Sequence, residues 1–217
     1  MSDSGPGISA AELRDHARAA FRQFVWPVTI VTYDSPTGLS GMTVSSITSL
    51  SLDPPSVVLC INRDSRAFRH LSVGASIGVS LVSAEHRQLA RRLSTRGIDK
   101  TMRQDETDRR EQPDLPPGIR GAVAYVGAEV ASLTDAHSHV VVIAQVREVR
   151  VGDGGIPPLA YYAGQFVEPA LLLPVEIPSD RPLATSRDDP AIDSEAQAAV
   201  AVGVVADLAP TGRRRHR

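Results

Sequence analysis

Cysteine is nearly absent from this chain of 217 residues, since Cys60 is the only one. An intramolecular disulfide is therefore impossible, which fits a reducing compartment. The first residues, Met1-Ser2-Asp3-Ser4-Gly5-Pro6, contain neither a basic nor an apolar stretch, so we expect no secretory signal. No apolar run reaches the roughly 18 to 20 residues that a membrane helix needs. We therefore expect a cytoplasmic protein without a membrane partner.

Aromatic residues are also scarce, at 4% of the sequence. The core must then rest on valine, leucine, isoleucine and alanine, which favours strands with β-branched faces. Neither acidic nor basic residues are in clear excess, since the formal net charge is only −2. The overall charge balance therefore gives no reason to expect a nucleic-acid partner.

Several motifs that would give the chain a chemistry of its own are missing. No serine lies at a nucleophile elbow, and there is no phosphate loop of the Walker type. His137 and His139 are not accompanied by clustered acidic or cysteine ligands, so we expect no metal site. The glycine cluster at 152–155 precedes Pro157 and Pro158, not a helix, and is predicted to be a turn. If the chain is an enzyme, a bound cofactor is expected to supply the difficult chemistry.

The pattern along the chain predicts many strands, few helices and no strand–helix alternation. Helices are predicted over 10–23, where Ser9 and Glu12 form a capping-box pattern, and over 66–71 and 84–93. Strands are predicted over 25–33, 39–44, 57–61, 76–82, 122–133, 140–151 and 159–162, with a charged surface excursion over 95–117. The expected fold class is mainly β with flanking helices, in a closed or nearly closed antiparallel barrel.

The composition divides the chain into three parts. We predict a disordered N-terminus at 1–8, one domain over 9–174, and a largely disordered tail over 175–217, where proline, aspartate, serine and alanine dominate. The arginine-rich end at 213–217 leaves a role with a nucleic acid or an acidic partner as an alternative.

The segment 41–51 is rich in hydroxyl groups, with four serines and two threonines in eleven residues. Interleaved apolar side chains would hold the segment between strands and leave the hydroxyls on the other face. Hydroxyls and free backbone N–H groups at a strand end can bind a phosphate, and Gly41 would let a flat ligand approach the backbone. The alternative is that serine and threonine simply populate turns and strand edges.

Other candidate side chains lie farther along the sequence. Arg91 and Arg92 come late in a predicted helix and could reach a phosphate; the alternative is a solvated helix face. Asn62 and Ser65 follow a buried strand, where they could meet the polar edge of a ring; the alternative is a turn capped by Ser65. Cys60 fits a small packed side chain better than a nucleophile.

The order of several segments is more specific than any one of them. In chain order they are Val28-Thr29-Ile30-Val31-Thr32, Gly41-Met42-Thr43-Val44-Ser45-Ser46, Ser49-Leu50-Ser51-Leu52-Asp53-Pro54-Pro55, Cys60-Ile61-Asn62 with Ser65, Gln88-Leu89-Ala90-Arg91-Arg92-Leu93-Ser94, Gly97-Ile98-Asp99-Lys100, and Pro158-Leu159-Ala160-Tyr161-Tyr162 with Gly164. This order resembles the flavin reductase family, the small reductase components of two-component flavin monooxygenases. The resemblance covers about residues 15–168.

The resemblance implies a split antiparallel β-barrel, the flavin reductase-like FMN-binding fold, usually as a homodimer. FMN, or FAD in some members, would lie near the dimer interface, and NADH or NADPH would pass hydride to the flavin N5. The implied cofactor-binding residues are Gly41, Met42, Thr43, Val44, Ser45 and Ser46 at the ring and ribityl chain, Cys60, Ile61 and Asn62 along the ring, Ser65 with Arg91 or Arg92 at the phosphate, and Tyr162 in the last matched segment.

The surroundings of His139 depart from the family pattern. The family often has Gly-Asp-His before a long strand; His139 matches the histidine, while His137 and Ser138 stand at the other two positions. Ala144 replaces a frequent glycine, and the excursion is more charged than the family pattern leads us to expect. His139 remains the candidate catalytic residue, in contact with nicotinamide or flavin. The resemblance thus implies an NAD(P)H:flavin oxidoreductase that supplies a separate oxygenase; the alternative is a flavin-binding storage or sensing protein without turnover.

Overall fold

The computed structural model describes residues 8–152 and 154–169. The predicted disordered ends at 1–8 and 175–217 lie outside these residues, apart from Ile8, and so does the predicted domain boundary at residue 174. No helix in the described ranges is both long enough and apolar enough to cross a membrane.

Strands dominate the described chain. The helices are α1 (Ala10–Phe21) and α2 (Arg87–Ser94), with 3₁₀ helices at Ala67–His70 and Ala84–His86. The strands are β1 (Trp26–Pro27), β2 (Thr29–Ser35), β3 (Gly38–Val44), β4 (Ile47–Leu52), β5 (Pro55–Asn62), β6 (Ser76–Leu81), β7 (Ala124–Ala136), β8 (His139–Val151), β9 (Ala160–Tyr162) and β10 (Gln165–Val167). The predicted capping box is present at α1, because the Glu12 amide donates to Ser9 Oγ at 3.2 Å and the Ser9 amide donates to the Glu12 carboxylate at 2.9 Å.

Seven strands form one antiparallel sheet in the order β3-β2-β6-β7-β8-β5-β4, and β1, β9 and β10 form a second, small sheet. The edge strands β3 and β4 are neighbours in sequence, separated only by Ser45 and Ser46. Two residues span only a short distance, so the sheet must curl until its two edges approach each other. The predicted class, mainly β with flanking helices, is confirmed, but the described ladders do not close the sheet into a barrel.

The core fills both faces of the curled sheet. On β2, Val31 packs in one cluster with Leu59 and Ile61, while Ile30 packs in the other with Val82. Alternation along a strand sends successive side chains to opposite faces, which explains why adjacent residues belong to different clusters. The buried side chains are mainly aliphatic, as the scarcity of aromatic residues predicted.

The structure differs from the prediction at three places. Residues 45–52, for which no regular element was predicted, are mostly a strand, β4, whose exposure alternates with period two. The single strand predicted over 25–33 breaks at Val28, whose backbone amide donates to the Leu159 carbonyl at 3.0 Å, so that β1 joins the small sheet. Strand β10 had no period-two signal in its three residues and was missed.

The excursion predicted over 95–117 lacks regular elements, but its end is not a surface loop. Residues 115–119 are buried across one face of the sheet. The Tyr125 hydroxyl donates to the Pro116 carbonyl at 2.6 Å, and the Thr32 hydroxyl donates to the Pro117 carbonyl at 2.8 Å. The charged composition of the preceding residues concealed this, although Leu115 and Ile119 are apolar and are only 5% and 1% exposed.

Candidate functional site

A cleft of about 690 Å³ opens where the two edges of the sheet approach each other. One wall is the end of β3 and the turn after it, 41–46; the second is the end of β5 and the following 3₁₀ helix, from Cys60 to Arg69; the third is the end of α2 and the loop after it, 93–100. Tyr33 and His139 also line it. Its volume falls within the usual range for small-molecule sites.

The hydroxyl groups of the first wall are not equally available. Thr43 Oγ1 donates to the Ala90 carbonyl at 2.7 Å, and Ser46 Oγ donates to the Cys60 carbonyl at 2.8 Å. The Cys60 amide in turn donates to the Ser46 carbonyl at 3.0 Å. Ser45 Oγ has no hydrogen-bond partner among the described residues, so it is the hydroxyl of this turn that is free to meet a ligand.

Gly41 has a different role from the one its sequence context suggested. A Cβ atom there would lie 2.7 Å from Met102 Sδ and 3.1 Å from Leu93 Cδ1. Its amide donates to the Lys100 carbonyl at 2.9 Å. Glycine at this position thus permits the loop after α2, which forms the third wall of the cleft, to approach β3 closely.

The second wall begins where β5 ends beside β8. Asn62 and His139 are partners in the β5–β8 register, and both line the cleft. Asn62 Oδ1 accepts the Asp64 amide at 2.8 Å, and Ser65 Oγ accepts the Phe68 amide at 3.3 Å, so both side chains also shape the turn. His139 Nδ1 lies 2.9 Å from Ser138 Oγ. The turn role that was the alternative for Asn62 and Ser65 is therefore present, and both residues also line the cleft.

Four predicted site residues do not line the cleft. Ile61 is 1% exposed and packs in the core. Arg92 donates to Glu106 at 2.6 Å and to the Thr101 carbonyl at 3.2 Å. Arg91 lies on a neighbouring groove of about 530 Å³, and the Tyr162 hydroxyl lies 3.3 Å from Gln23 Oε1. A helix turns each successive residue by about 100°, so adjacent arginines cannot both face one site; the sequence pattern did not reveal which way either one faces.

The positive charge in the cleft comes from residues that the sequence analysis did not select: Arg66, Arg69, Arg96 and Lys100. Only one acidic side chain, Asp64, is among the described lining residues. Lys100 Nζ donates to the carbonyls of Leu93 at 2.7 Å and Arg92 at 3.0 Å, and so caps the end of α2. Burial lowers the pKa of Lys100, and the nearby Arg92 and Arg66 charges lower it further. The basic residues that follow β5 in the sequence could have indicated this positive charge.

This is a mainly β protein whose cleft, at the edge of an antiparallel sheet, has a free hydroxyl and an excess of cations and so suits an anionic small molecule. No group of three potential metal ligands occurs in the described part of the chain. The chain belongs to the family of the flavin reductase-like domain, whose model matches residues 21–170.

Similar proteins support this membership at the level of whole domains. The chain is 30% identical over 172 residues to the NADH:riboflavin 5′-phosphate oxidoreductase of Streptomyces pristinaespiralis, covering 78% of this chain and 93% of that protein. It is 34% identical over 148 residues to the flavin reductase (NADPH) of Lentzea aerocolonigenes, covering 67% and 82%. The structure of the styrene monooxygenase flavin reductase from Pseudomonas putida S12 matches with a TM-score of 0.64 at 30% identity, covering 72% and 98%.

The position of Arg92 generates a first prediction. Arg92→Ala is expected to lower the free energy of unfolding by about 2–3 kcal/mol, because it removes one partner of a largely buried ion pair and releases the loop after α2. Urea denaturation measures this change. Arg103→Ala is the matched control, since Arg103 contacts the same Glu106 carboxylate while its own side chain is 71% exposed; a change below about 1 kcal/mol is expected there. Equal losses in the two variants would contradict the assignment.

Proposed function

We propose that this chain is an NAD(P)H-dependent flavin reductase that transfers hydride from nicotinamide to FMN and provides reduced flavin to a separate oxygenase. The observation that carries the proposal is the cleft itself, in which Ser45, the end of β5 and an unpaired set of cations face one another. Membership in the flavin reductase-like family, over residues 21–170, supports it.

The residues of the cleft fit an FMN-type cofactor. A flat ring with polar edges suits the turn at 43–46 and the end of β5, where Ser45 Oγ is free and Cys60 is half-buried. A phosphate suits the cations on the opposite walls. The name of the Streptomyces relative supports riboflavin 5′-phosphate as the flavin, and the names of the two relatives support NADH and NADPH respectively.

Bound FMN would supply the hydride acceptor, while the protein supplies binding, orientation and electrostatics. The backbone N–H groups of Ser45 and Ser46 lie between two strands, outside the ladders, and are candidates to donate to the ring edge on which negative charge develops. His139, at the start of β8, is the candidate for nicotinamide contact, with Ser138 holding one side of its ring. The structure of the styrene monooxygenase reductase supports the oxygenase partner.

A steady-state assay tests the proposal. Purified protein mixed with NADH and FMN is expected to consume NADH, followed by its absorbance, well above the free-flavin background. Ser45→Ala should weaken FMN binding by roughly fivefold, the value of about 1 kcal/mol for one hydrogen bond, with Ser132→Ala on β7 as a control that leaves binding unchanged. Bound flavin without NADH consumption would instead identify a flavin-binding protein without turnover.

The role of His139 is tested separately. His139→Ala should raise the KM for NADH while FMN affinity stays near its original value, because the ring lies at the cleft edge beside Asn62. The neighbouring His137 does not line the cleft and has a left-handed φ of 55°, so His137→Asn, which suits that conformation, is the control. An unchanged KM for NADH in His139→Ala would remove His139 from the reaction.

We also propose that the protein functions as a homodimer. Helix α1 buries none of its residues, and Phe21 and Phe24 are 61% and 53% exposed beside Trp26. Such an aromatic surface is costly to leave in water, and a second copy of the chain would cover it.

Light scattering after size exclusion tests the assembly. The protein is expected to elute with the mass of a dimer, and Phe21→Asp is expected to shift it towards the monomer because a charge would be buried at the contact. Val73→Asp, at an equally exposed turn position, should leave the dimer intact. A monomer in the unsubstituted protein would refute this assembly and leave the hydride-transfer proposal unaffected.

A further inference from the structure

Thr29, at the start of β2, has a buried hydroxyl group that is aimed at the end of β3. The residue is only 4% exposed and does not line the cleft. Its Oγ1 donates to the Val44 carbonyl at 2.7 Å, and Val44 is also its partner in the β2–β3 register. A β-branched side chain has few accessible rotamers, so this donor is held in place. Thr29 therefore ties down the last carbonyl group of β3.

The orientation of this carbonyl determines the direction of the next amide group. The peptide bond between Val44 and Ser45 is trans, and in a planar trans peptide the C=O and N–H bonds point in opposite directions. The Val44 carbonyl points towards β2, so the Ser45 N–H group points away from it. On that side β3 has no neighbouring strand, because it is an edge of the sheet. The Ser45 amide is therefore directed towards the open seam, where Ser45 lines the cleft.

The Ser45 amide has no hydrogen-bond partner within the described chain, whereas groups on either side of it are used. At the β5 side, the Ser46 carbonyl accepts the Cys60 amide at 3.0 Å, and the Ser46 hydroxyl donates to the Cys60 carbonyl at 2.8 Å. At the β3 side, the Val44 carbonyl accepts the Thr29 hydroxyl. The turn is thus anchored at both ends, with a half-buried Ser45 between the anchors. A donor fixed in this way is oriented before any ligand arrives.

We propose that Thr29 is a positioning residue for flavin reduction, which acts through the Val44–Ser45 peptide without touching the ligand. The inference rests on the proposed function, in which this turn faces the flavin ring. Hydride transfer leaves negative charge on the ring, and a donor already aimed at the place where charge develops stabilises the reduced form more than the oxidised form. The Thr29 hydroxyl keeps the Ser45 amide in that direction, so it raises the affinity for reduced flavin relative to oxidised flavin.

Thr32 provides an internal comparison on the same strand. It is fully buried, and its Oγ1 donates to the Pro117 carbonyl at 2.8 Å. Thr29 and Thr32 thus make the same kind of hydrogen bond, but Pro117 lies outside the cleft. If buried hydroxyl groups on β2 only stabilise the fold, loss of either one should have the same consequence for flavin. If Thr29 acts through the Ser45 amide, only its loss should change how the protein distinguishes the two forms of flavin.

Reduction potentials of free and bound FMN test the inference, because their difference gives the ratio of the affinities for reduced and oxidised FMN. In Thr29→Val, which keeps the shape of the side chain, this ratio should fall about fivefold, the value of one lost hydrogen bond. Thr29→Ser keeps the hydroxyl, so the ratio should stay unchanged although the lost methyl group lowers the urea midpoint. Thr32→Val should also lower the urea midpoint and leave the ratio unchanged.

A second arm separates the amide from the Ser45 side chain. Ser45→Ala removes the hydroxyl and keeps the N–H group, so Thr29→Val is expected to lower the ratio by the same factor in that background. Thr29→Ala and Thr29→Ser differ only by the hydroxyl, and this pair gives the same comparison if Thr29→Val does not fold.

Three results would overturn the positioning role. One is an unchanged ratio in Thr29→Val, and another is an equal fall in Thr29→Ser or Thr32→Val. The third is loss of the Thr29→Val effect in the Ser45→Ala background, because the effect would then run through the Ser45 side chain. A protein that binds neither form of FMN would refute the proposed function itself, so the two failures are distinguishable.

Discussion

The cleft exists because two strands that are neighbours in sequence do not pair with each other. A β-hairpin would normally join β3 and β4 through so short a connection. Here β3 pairs with β2 and β4 pairs with β5, so Ser45 and Ser46 connect the two edges of a seven-stranded sheet. The chain therefore crosses an open seam, and the N–H groups of Ser45 and Ser46 at the crossing are not used by a ladder. All of the proposed binding chemistry depends on that seam staying open.

Two cations keep the third wall against the seam. Arg92 ties the end of α2 to Glu106 and to the backbone at Thr101, and Lys100 caps the last carbonyls of the helix. The loop between them then lies on Gly41, which has no side chain to hold it away. These interactions are made within the protein, and they determine where the free arginine Arg96 stands. Arg92 and Lys100 thus build the wall, whereas Arg96 remains unpaired and adds positive charge to the cleft.

Much of the fold could be predicted from the sequence, since hydrophobic alternation and turn residues are local. The hairpin of β2 and β3 and the two long strands β7 and β8 were of this kind. The directions of side chains on α2 were not, because they depend on which face of the helix packs on β3. Arg91 and Arg92 were thus reasonable phosphate ligands by composition and position, and only the contact with Glu106 shows that Arg92 is used elsewhere. Nothing in the sequence indicated that Tyr33 lines the cleft, because its position there depends on the pairing of β2 with β3.

The hydroxyl-rich segment lines the cleft, but most of its hydroxyl groups do not have the role that their number suggested. Six hydroxyls in eleven residues suggested a phosphate site, yet Thr43 and Ser46 donate their protons to backbone carbonyls of the protein itself. Their contribution is to fix β3 against α2 and the turn against β5, so that Ser45 and the backbone face the cleft. A neutral turn of this type offers hydrogen bonds to a ring, but little to offset two charges on a phosphate. In the proposed function, the cations on the other walls would meet that need.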